Sequence, residues 1–456
     1  MRIVIVGGGV VGFALAEHLL KDHHQLSMVE QDNAICQQIG EKLDLLIVNG
    51  SGSSPSILRE AGLTDADMVL AVTPVNDVNI IVCTIANQYG VPSRIARLRG
   101  SEYLEKQNIV DLEKLGITSV IHPERILADH ILQYVETPHA LESANFEDGR
   151  ILLRGYRVSE KMPIAGKTPR QIREEIAPSI VLFSAVVRNH KGMIPDGDTL
   201  IQAGDIVYSL FPRESLKPFL NLMGIESSNN RKIIITGDSY ATEELAASLS
   251  RTDHHITFVD PDIDHANKVA ATLDHLEVLH GDCTQHELLR ELNVNAASFF
   301  IAVSDAADYN MLSALLAKAE GAHEVIVTSS EPRHTSLFRS IGIDHVIVPR
   351  LTTARHILDM VSRGHIGAVV PLSDVDIEAV RFIVEPDSDI AGMKVRNIAT
   401  KLKKGSIIGI IVREHRLIIP EGETVVEAND HIIVITHHHN LGTIAKLFKP
   451  RGWFRH

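Results

Sequence analysis

Residues Ile3–Leu20, IVIVGGGVVGFALAEHLL, decide the fold. Four β-branched residues run into a glycine cluster, and the apolar spacing then changes from that of a buried strand to that of a helix. Gly7-Gly8-Gly9-Val10-Val11-Gly12 thus joins a strand to a helix, the context that a dinucleotide-binding turn needs. In such a turn Gly7 allows the tight bend, Gly9 lets the backbone approach a pyrophosphate, and Gly12 lets helix and sheet pack closely. The helix start offers unpaired N–H groups and a partial positive charge to phosphate. Glu30 closes the next strand, LSMVE, where a carboxylate accepts hydrogen bonds from an adenosine ribose. The same charge repels a 2′-phosphate and so disfavours NADP. It does not rank NAD, ATP and ADP, which share that ribose.

The reading extends outward by repetition. IIITGDSYATEELAASLS, Ile233–Ser250, aligns with Ile3–Leu20 without a gap, and the strand ITFVD ending at Asp260 aligns with LSMVE ending at Glu30. AVTPVNDVN from Ala71 parallels AVSDAADYN from Ala302, pairing Thr73 with Ser304, Asp77 with Asp308 and Asn79 with Asn310. A second repeat follows each of these: VVRNHKGMIPDGDTLIQAGD from Val186 and IVREHRLIIPEGETVVEAND from Ile411 share Arg188/Arg413, Pro195/Pro420, Gly197/Gly422, Thr199/Thr424 and Asp205/Asp430. Short β-branched runs broken by Pro-Asp-Gly and Pro-Glu-Gly turns mark these as small β-rich modules.

The order is therefore A–B–A′–B′ and the class α/β. Rossmann-like, doubly wound parallel-sheet domains are predicted at 1–140 and 228–366, each followed by a small α+β domain, at 141–227 and 367–456. The polar stretches Ser143–Gly149 and Glu226–Arg231 read as linkers. His122–Val135 reads as a helix leaving the first domain, a place for a dimer contact.

Other loops at the carboxyl ends of parallel strands face the same crevice. Asn49-Gly50 follows the third strand and Thr73 the fourth, while Arg97 and Arg99, in SRIARLR, are the nearest groups to neutralise further phosphates. As strand-end charges the two arginines are equally well read as solvated surface. In the second copy Gly237 is kept, but Asp238, Ser239 and Thr242 replace Gly8, Gly9 and Gly12. A carboxylate and side chains there oppose a pyrophosphate, although Asp260 still offers a ribose acceptor and Gly281-Asp282 still follows a strand. Weaker or different nucleotide binding is expected in that half.

Composition excludes other classes. The 456 residues carry 58 acidic and 44 basic side chains, a formal charge of −14 that repels phosphate backbones, so no nucleic-acid partner is expected. Three scattered cysteines, Cys36, Cys83 and Cys283, show no metal-ligand spacing and suit a reducing compartment. The chain begins MRIVIVG, directly in a strand, so no signal peptide is expected. Apolar runs such as Ile407–Val412 fall far short of the roughly 20 residues that span a bilayer.

Two local signals lead nowhere by themselves. Ala165-Gly166-Lys167-Thr168 ends like a phosphate-binding P-loop, but Lys161 stands where the first glycine belongs, and a turn into a short helix is the simpler reading. His437-His438-His439 has metal-binding side chains, yet no neighbouring cysteine or acid completes a site in the sequence, and a solvated strand end is expected. No catalytic set of side chains is apparent either.

Taken together, the Gly7–Gly12 turn, Glu30, the Ala71-Val72-Thr73 strand end with Asp77 and Asn79, and the PDGDTLIQAGD module resemble RCK (regulator of potassium conductance) domains. The A–B–A′–B′ order, over nearly the whole chain, is similar to regulatory subunits of potassium uptake systems that carry two complete units. The resemblance implies a non-enzymatic protein that binds NAD(H) and ATP/ADP, with Gly7, Gly9, Gly12 and Glu30 taking the nucleotide role. It also implies a cytoplasmic location, peripheral on the inner face of the cell membrane. There the protein would form a homo-oligomeric ring, a tetramer, beneath a membrane-embedded potassium channel or transporter subunit. Many such domains have an aspartate after the glycine of the third-strand loop, where this chain has Ser51. Two alternatives stay open: an NAD-dependent oxidoreductase with tandem Rossmann domains, and a regulator of another cation transporter.

Overall fold

The IVIV run forms the strand Arg2–Val6, and Val10–Lys21 follows as a helix that buries Val11, Leu15 and Leu19. The computed structural model describes residues 1–21, 24–100, 103, 110–176, 181–226, 230–361, 366–372, 375–402, 405–414 and 416–450. Arg2–Val6, Gln25–Glu30, Leu46–Asn49, Met68–Ala71, Ser93–Arg97 and Ser119–Ile121 make a six-stranded parallel sheet with spatial order 3-2-1-4-5-6. Val6 pairs with both Val29 and Ala71, so the chain leaves these three neighbouring strands at one level. Strand order reverses beside the first strand, which opens a crevice at its carboxyl end.

The second copy repeats this sheet from Lys232–Thr236, His255–Asp260, Glu277–His280, Phe299–Ala302, Glu324–Thr328 and His345–Ile347, in the same order. Even the helix caps recur. Asp32 accepts from the Ala34 and Ile35 N–H groups, and Asp262 accepts from those of Asp264 and His265. Each cap contributes about 1 kcal/mol to its helix.

Two five-stranded antiparallel sheets make up the rest. In chain order their strands are Glu142–Phe146, Ile151–Arg157, Leu182–Arg188, Lys191–Met193 and Ile206–Pro212, then Ile366–Pro371, Ile377–Ile383, Ser406–Arg413, Arg416–Ile418 and His431–His437. Both have the spatial order 4-3-5-2-1. The repeated arginines and aspartates of the sequence form one fork in each: Arg188 donates to both oxygens of buried Asp205 at 2.8 and 2.7 Å, and Arg413 to both of buried Asp430 at 2.9 Å. The P-loop-like segment is a turn into the helix Pro169–Ile176.

One reading is corrected. Ser143–Gly149 is not a linker: Glu142–Phe146 is the first strand of its sheet, with Ser143 and Phe146 buried, and the turn after it leads straight into Ile151–Arg157. The other linker, Glu226–Arg231, falls partly on residues 227–229, outside the described residues.

Contacts gather the four sheets into two units. Met1–Leu132 with Asn229–Leu358 holds both parallel sheets, and Gln133–Ser228 with Asp359–His456 holds both antiparallel ones. In the second unit the two sheets share one core, in which Phe146, Tyr208 and Leu210 pack with Ile377, Ile410 and Ile433. A nearly buried carboxylate, Glu147, ties the sheets together, 3.2 Å from Arg381 and 3.0 Å from His431. Removing one partner of such a pair strands the other in low dielectric. Glu147→Ala should therefore lower stability by about 3 kcal/mol, visible as a depressed melting temperature by calorimetry. A melt unchanged from wild type would mean that Arg381 is solvated without Glu147.

Candidate functional site

Gly7 has φ +108°, and a Cβ there would stand 3.1 Å from the Thr73 nitrogen. At Gly12 a Cβ would fall 1.9 Å from the Gly7 carbonyl oxygen, so no side chain fits. Gly9 differs: a Cβ would meet nothing within 4 Å, because this backbone faces open space. That open space is part of a cavity of about 560 Å³, a size that suits a small-molecule ligand.

Glu30 sits beside the turn, where its carboxylate accepts from the Gly8 N–H at 2.6 Å and the Asp32 N–H at 2.9 Å. Two carboxylate oxygens offer about four acceptor positions, so capacity remains for ribose hydroxyls. Arg97 and Arg99 reach the cavity from the next strand end. Arg99 donates to buried Glu124 at 2.9 Å, which raises its pKa. Arg97 has no such partner at Nε, which is buried and unbonded. Its pKa is pushed down by burial and by the Arg99 and Arg350 guanidinium groups, against the pull of Glu124. A guanidinium stays protonated regardless, so Arg97 brings a partly buried positive charge to this corner, with Arg99 beside it and Glu124 and Asp305 as the nearby acids.

Of the residues singled out in the sequence, Gly7, Gly9, Val10, Val11, Glu30, Gly50, Thr73, Arg97 and Arg99 line this one cavity. Gly8 and Gly12 are buried behind it. Asn49 also stands back, its amide donating to the carbonyls of Glu30 and Gln31. Two contributors lie outside the site residues expected from the sequence. Asn79, fully buried, donates to the Thr73 and Arg97 carbonyls at 2.9 and 2.7 Å and so holds two cavity-lining strand ends together. The conserved spacing between the two copies was its signal: Asn310 makes the same bridge from Ser304 to Thr328. The other is the far wall, where Ser239, Ser304, Asp305 and Arg350 come from the second copy.

The second copy's own turn is closed from within. Ser239 and Thr242 cap each other across the helix start, and Thr242 Oγ1 also donates to the Val303 carbonyl. Gly237 packs against that carbonyl, where a Cβ would fall at 2.0 Å. Asp260, expected to be a ribose acceptor, is fully buried and accepts from the Asp262 N–H at 2.8 Å. Its other oxygen lies against His265 Nδ1, and His265 Nε2 is 2.7 Å from Glu243. Asp282 accepts from the Thr284 N–H and hydroxyl, both at 2.8 Å. Gly237, Asp260 and Asp282 thus lie outside the cavity lining. The cysteines are buried and free, and burial pushes the thiol pKa of Cys83 up to about 12 and of Cys283 to about 11, so neither is a ready nucleophile.

Two parallel sheets facing one cavity, with an antiparallel module after each, define a tandem RCK-type protein. The chain is similar over 98% of its length to the GsuK RCK domain, at TM-score 0.58 and 18% identity, covering 94% of that chain. It is likewise similar to the GsuK channel bound to NAD, at TM-score 0.60 and 18% identity over 98% of this chain and 78% of that one. The TrkA-N domain matches residues 3–123 and 233–349, and the TrkA-C domain matches 379–449. The Trk system potassium uptake protein TrkA of Halomonas elongata is 31% identical over 438 residues, 95% of each chain, and that of Haemophilus influenzae 30% identical over the whole of both. The chain belongs to the TrkA family.

Two tests follow from this geometry. Gly12→Ala should destabilise the first copy by about 3 kcal/mol through overpacking, whereas Gly9→Ala should stay within about 0.5 kcal/mol of wild type in thermal melts. Equal loss from both would place Gly9 in the packing, not on open space. In the second copy burial opposes the imidazolium of His265, but hydrogen bonds to Asp260 and Glu243 outweigh it and raise its pKa. Its stabilisation is then complete below the ordinary imidazole value of about 6.5 and lost as pH rises through the raised value. Melting temperature should fall more steeply for wild type than for His265→Gln between about pH 6 and pH 9. Parallel profiles would show that His265 does not titrate with folding.

Proposed function

We propose that this chain is a nucleotide-responsive, non-enzymatic regulatory subunit of a membrane potassium uptake system. Membership of the TrkA family supports the potassium role. The nucleotide role rests on one observation above the others: a cavity with bare backbone at Gly9 on one wall and Arg97, its Nε without a hydrogen-bond partner, beside it, near Arg350 of the second copy. In this reading Gly7–Gly12 cradles the phosphates and Glu30 takes the ribose. Arg97, Arg99 and Arg350 meet the outer phosphates. NAD(H), ATP and ADP are the ligands, one per chain, because the second copy's turn and Asp260 are already satisfied internally.

A ligand touching both Rossmann-like copies stabilises one arrangement of them over another. Coupling of about 1–3 kcal/mol suffices to bias an attached membrane protein. We place the protein on the cytoplasmic face, as a homo-oligomeric ring, a tetramer, bound to the transporting subunit. No helix among the described residues is long and apolar enough to cross a membrane, so transport itself falls to that partner.

Thermal stabilisation by ATP, ADP, NAD, NADH and NADP tests the reading. Adenine nucleotides at ~100 times their dissociation constants should add about 2.7 kcal/mol, with NADP weakest and NADH absorbance constant. Arg97→Ala or Arg350→Ala should each weaken ATP by roughly 10–100-fold, the worth of one charge-assisted hydrogen bond. If no nucleotide stabilised the protein, the reading would fall. If Arg350→Ala bound ATP as wild type does, the second copy would have no part in the site.

A further inference from the structure

His437 ends the last strand of the second small sheet, and the turn His438–Asn440 follows it. That turn sends alternate imidazoles to opposite sides. His438 Nδ1 lies 2.9 Å from Glu378, while the His437 and His439 rings stack 5.4 Å apart with their planes 23° from parallel. Both stacked rings face Asp376, which antiparallel pairing of Ile377 with His437 brings beside them. Asp376 Oδ2 is 3.3 Å from His439 Nδ1 and 3.9 Å from His437 Nδ1, and the three ligand atoms all lie within 4.8 Å of one another.

We infer that Asp376, His437 and His439 form a binding site for a divalent transition metal of the zinc class. An ion with ligand bonds of about 2.0–2.1 Å in tetrahedral geometry holds its ligand atoms about 3.3 Å apart, so a set now within 4.8 Å closes onto the ion by side-chain rotation at the exposed Asp376 and His439. Two imidazoles and one carboxylate are a borderline donor set that suits zinc, nickel, cobalt or copper. Calcium and magnesium demand many more oxygens than one aspartate gives. Three protein ligands leave a fourth position open to water or an exogenous group. Binding replaces one existing contact, the 2.9 Å hydrogen bond from His437 Nδ1 to the Asp376 carbonyl.

The fold does not require these residues. Ile151 pairs with Pro212 in the first small sheet as Ile377 pairs with His437 in the second, so Arg150, Pro212 and Glu214 hold the equivalent positions there. None of those three is a metal ligand pair for another, yet that sheet has the same strand order. The histidine cluster is therefore an addition to one copy. A metal here pins the end of the last strand to the start of the second and fixes the entry to the helix Leu441–Phe448. It gives the chain a second ligand class, distinct in chemistry and position from the adenine nucleotides.

The test uses full-length, untagged, metal-stripped protein, titrated with Zn²⁺ by calorimetry and with Co²⁺ by visible absorption. One equivalent should bind, with the intense bands of tetrahedral Co²⁺ and a raised melting temperature. His439→Ala and Asp376→Asn should each weaken binding by at least about 10–100-fold. Both positions are exposed, so the metal-free melts of the variants should match wild type. His255→Ala, at an exposed histidine of the other unit, should bind as wild type does. Binding without defined stoichiometry, or binding that survives in both variants, would overturn the assignment, as would no binding.

Discussion

The Gly7 carbonyl oxygen occupies the space that any side chain at position 12 would need, so strand and helix meet there backbone to backbone. Beside that close approach Gly9 leaves the helix start bare where it lines the cavity. The second copy solves the same junction differently. Thr242 and Ser239 fill the space with hydroxyls that bond to each other and to the Val303 carbonyl. One junction is held by the absence of side chains and keeps its donors available. Its counterpart is held by side chains and spends them.

The electrostatics of the cavity follow from where the strands end. Asn79 locks the Thr73 and Arg97 carbonyls together, which fixes Arg97 in a place where its Nε meets no acceptor. Arg99, two residues on, has Glu124. Arg350 approaches from the second copy and adds like charge. Glu124 and Asp305 stand at the same corner, the latter 3.9 Å from Arg99, so three guanidinium groups and two carboxylates meet there.

Much of this was legible in the sequence, for reasons that have to do with range. Strand, turn and helix at Ile3–Leu20 are local, and period and glycine spacing suffice for them. The repeat carried the second parallel sheet, and it also flagged Asn79 and Asn310, although their bonds to the neighbouring strand ends are visible only in three dimensions. Arg350 could not be found, because it meets Arg97 across two copies far apart in the chain. Ser143–Gly149 was misread because a polar strand in a small sheet lacks the apolar run of a parallel one. Asp260 has the right place on its strand to accept a ribose, but His265, on the following helix, covers it. Nothing local announces that the imidazole turns inward.

The same limit of range explains the histidine corner. Read along the chain, His437-His438-His439 lacks an acid; read across the sheet, Asp376 and Glu378 stand beside it. Both copies keep what folding needs: the strand orders, the capping aspartates 32 and 262, and the Arg188–Asp205 and Arg413–Asp430 forks. They differ at the exits of strands, where Ser239 and Thr242 stand for Gly9 and Gly12, and His437 and His439 for Pro212 and Glu214. Duplication thus leaves the strand ends free to diverge while the sheets cannot. A strand end that loses one ligand's requirements is then open to another's, and chemistry in this chain should be sought at those exits first.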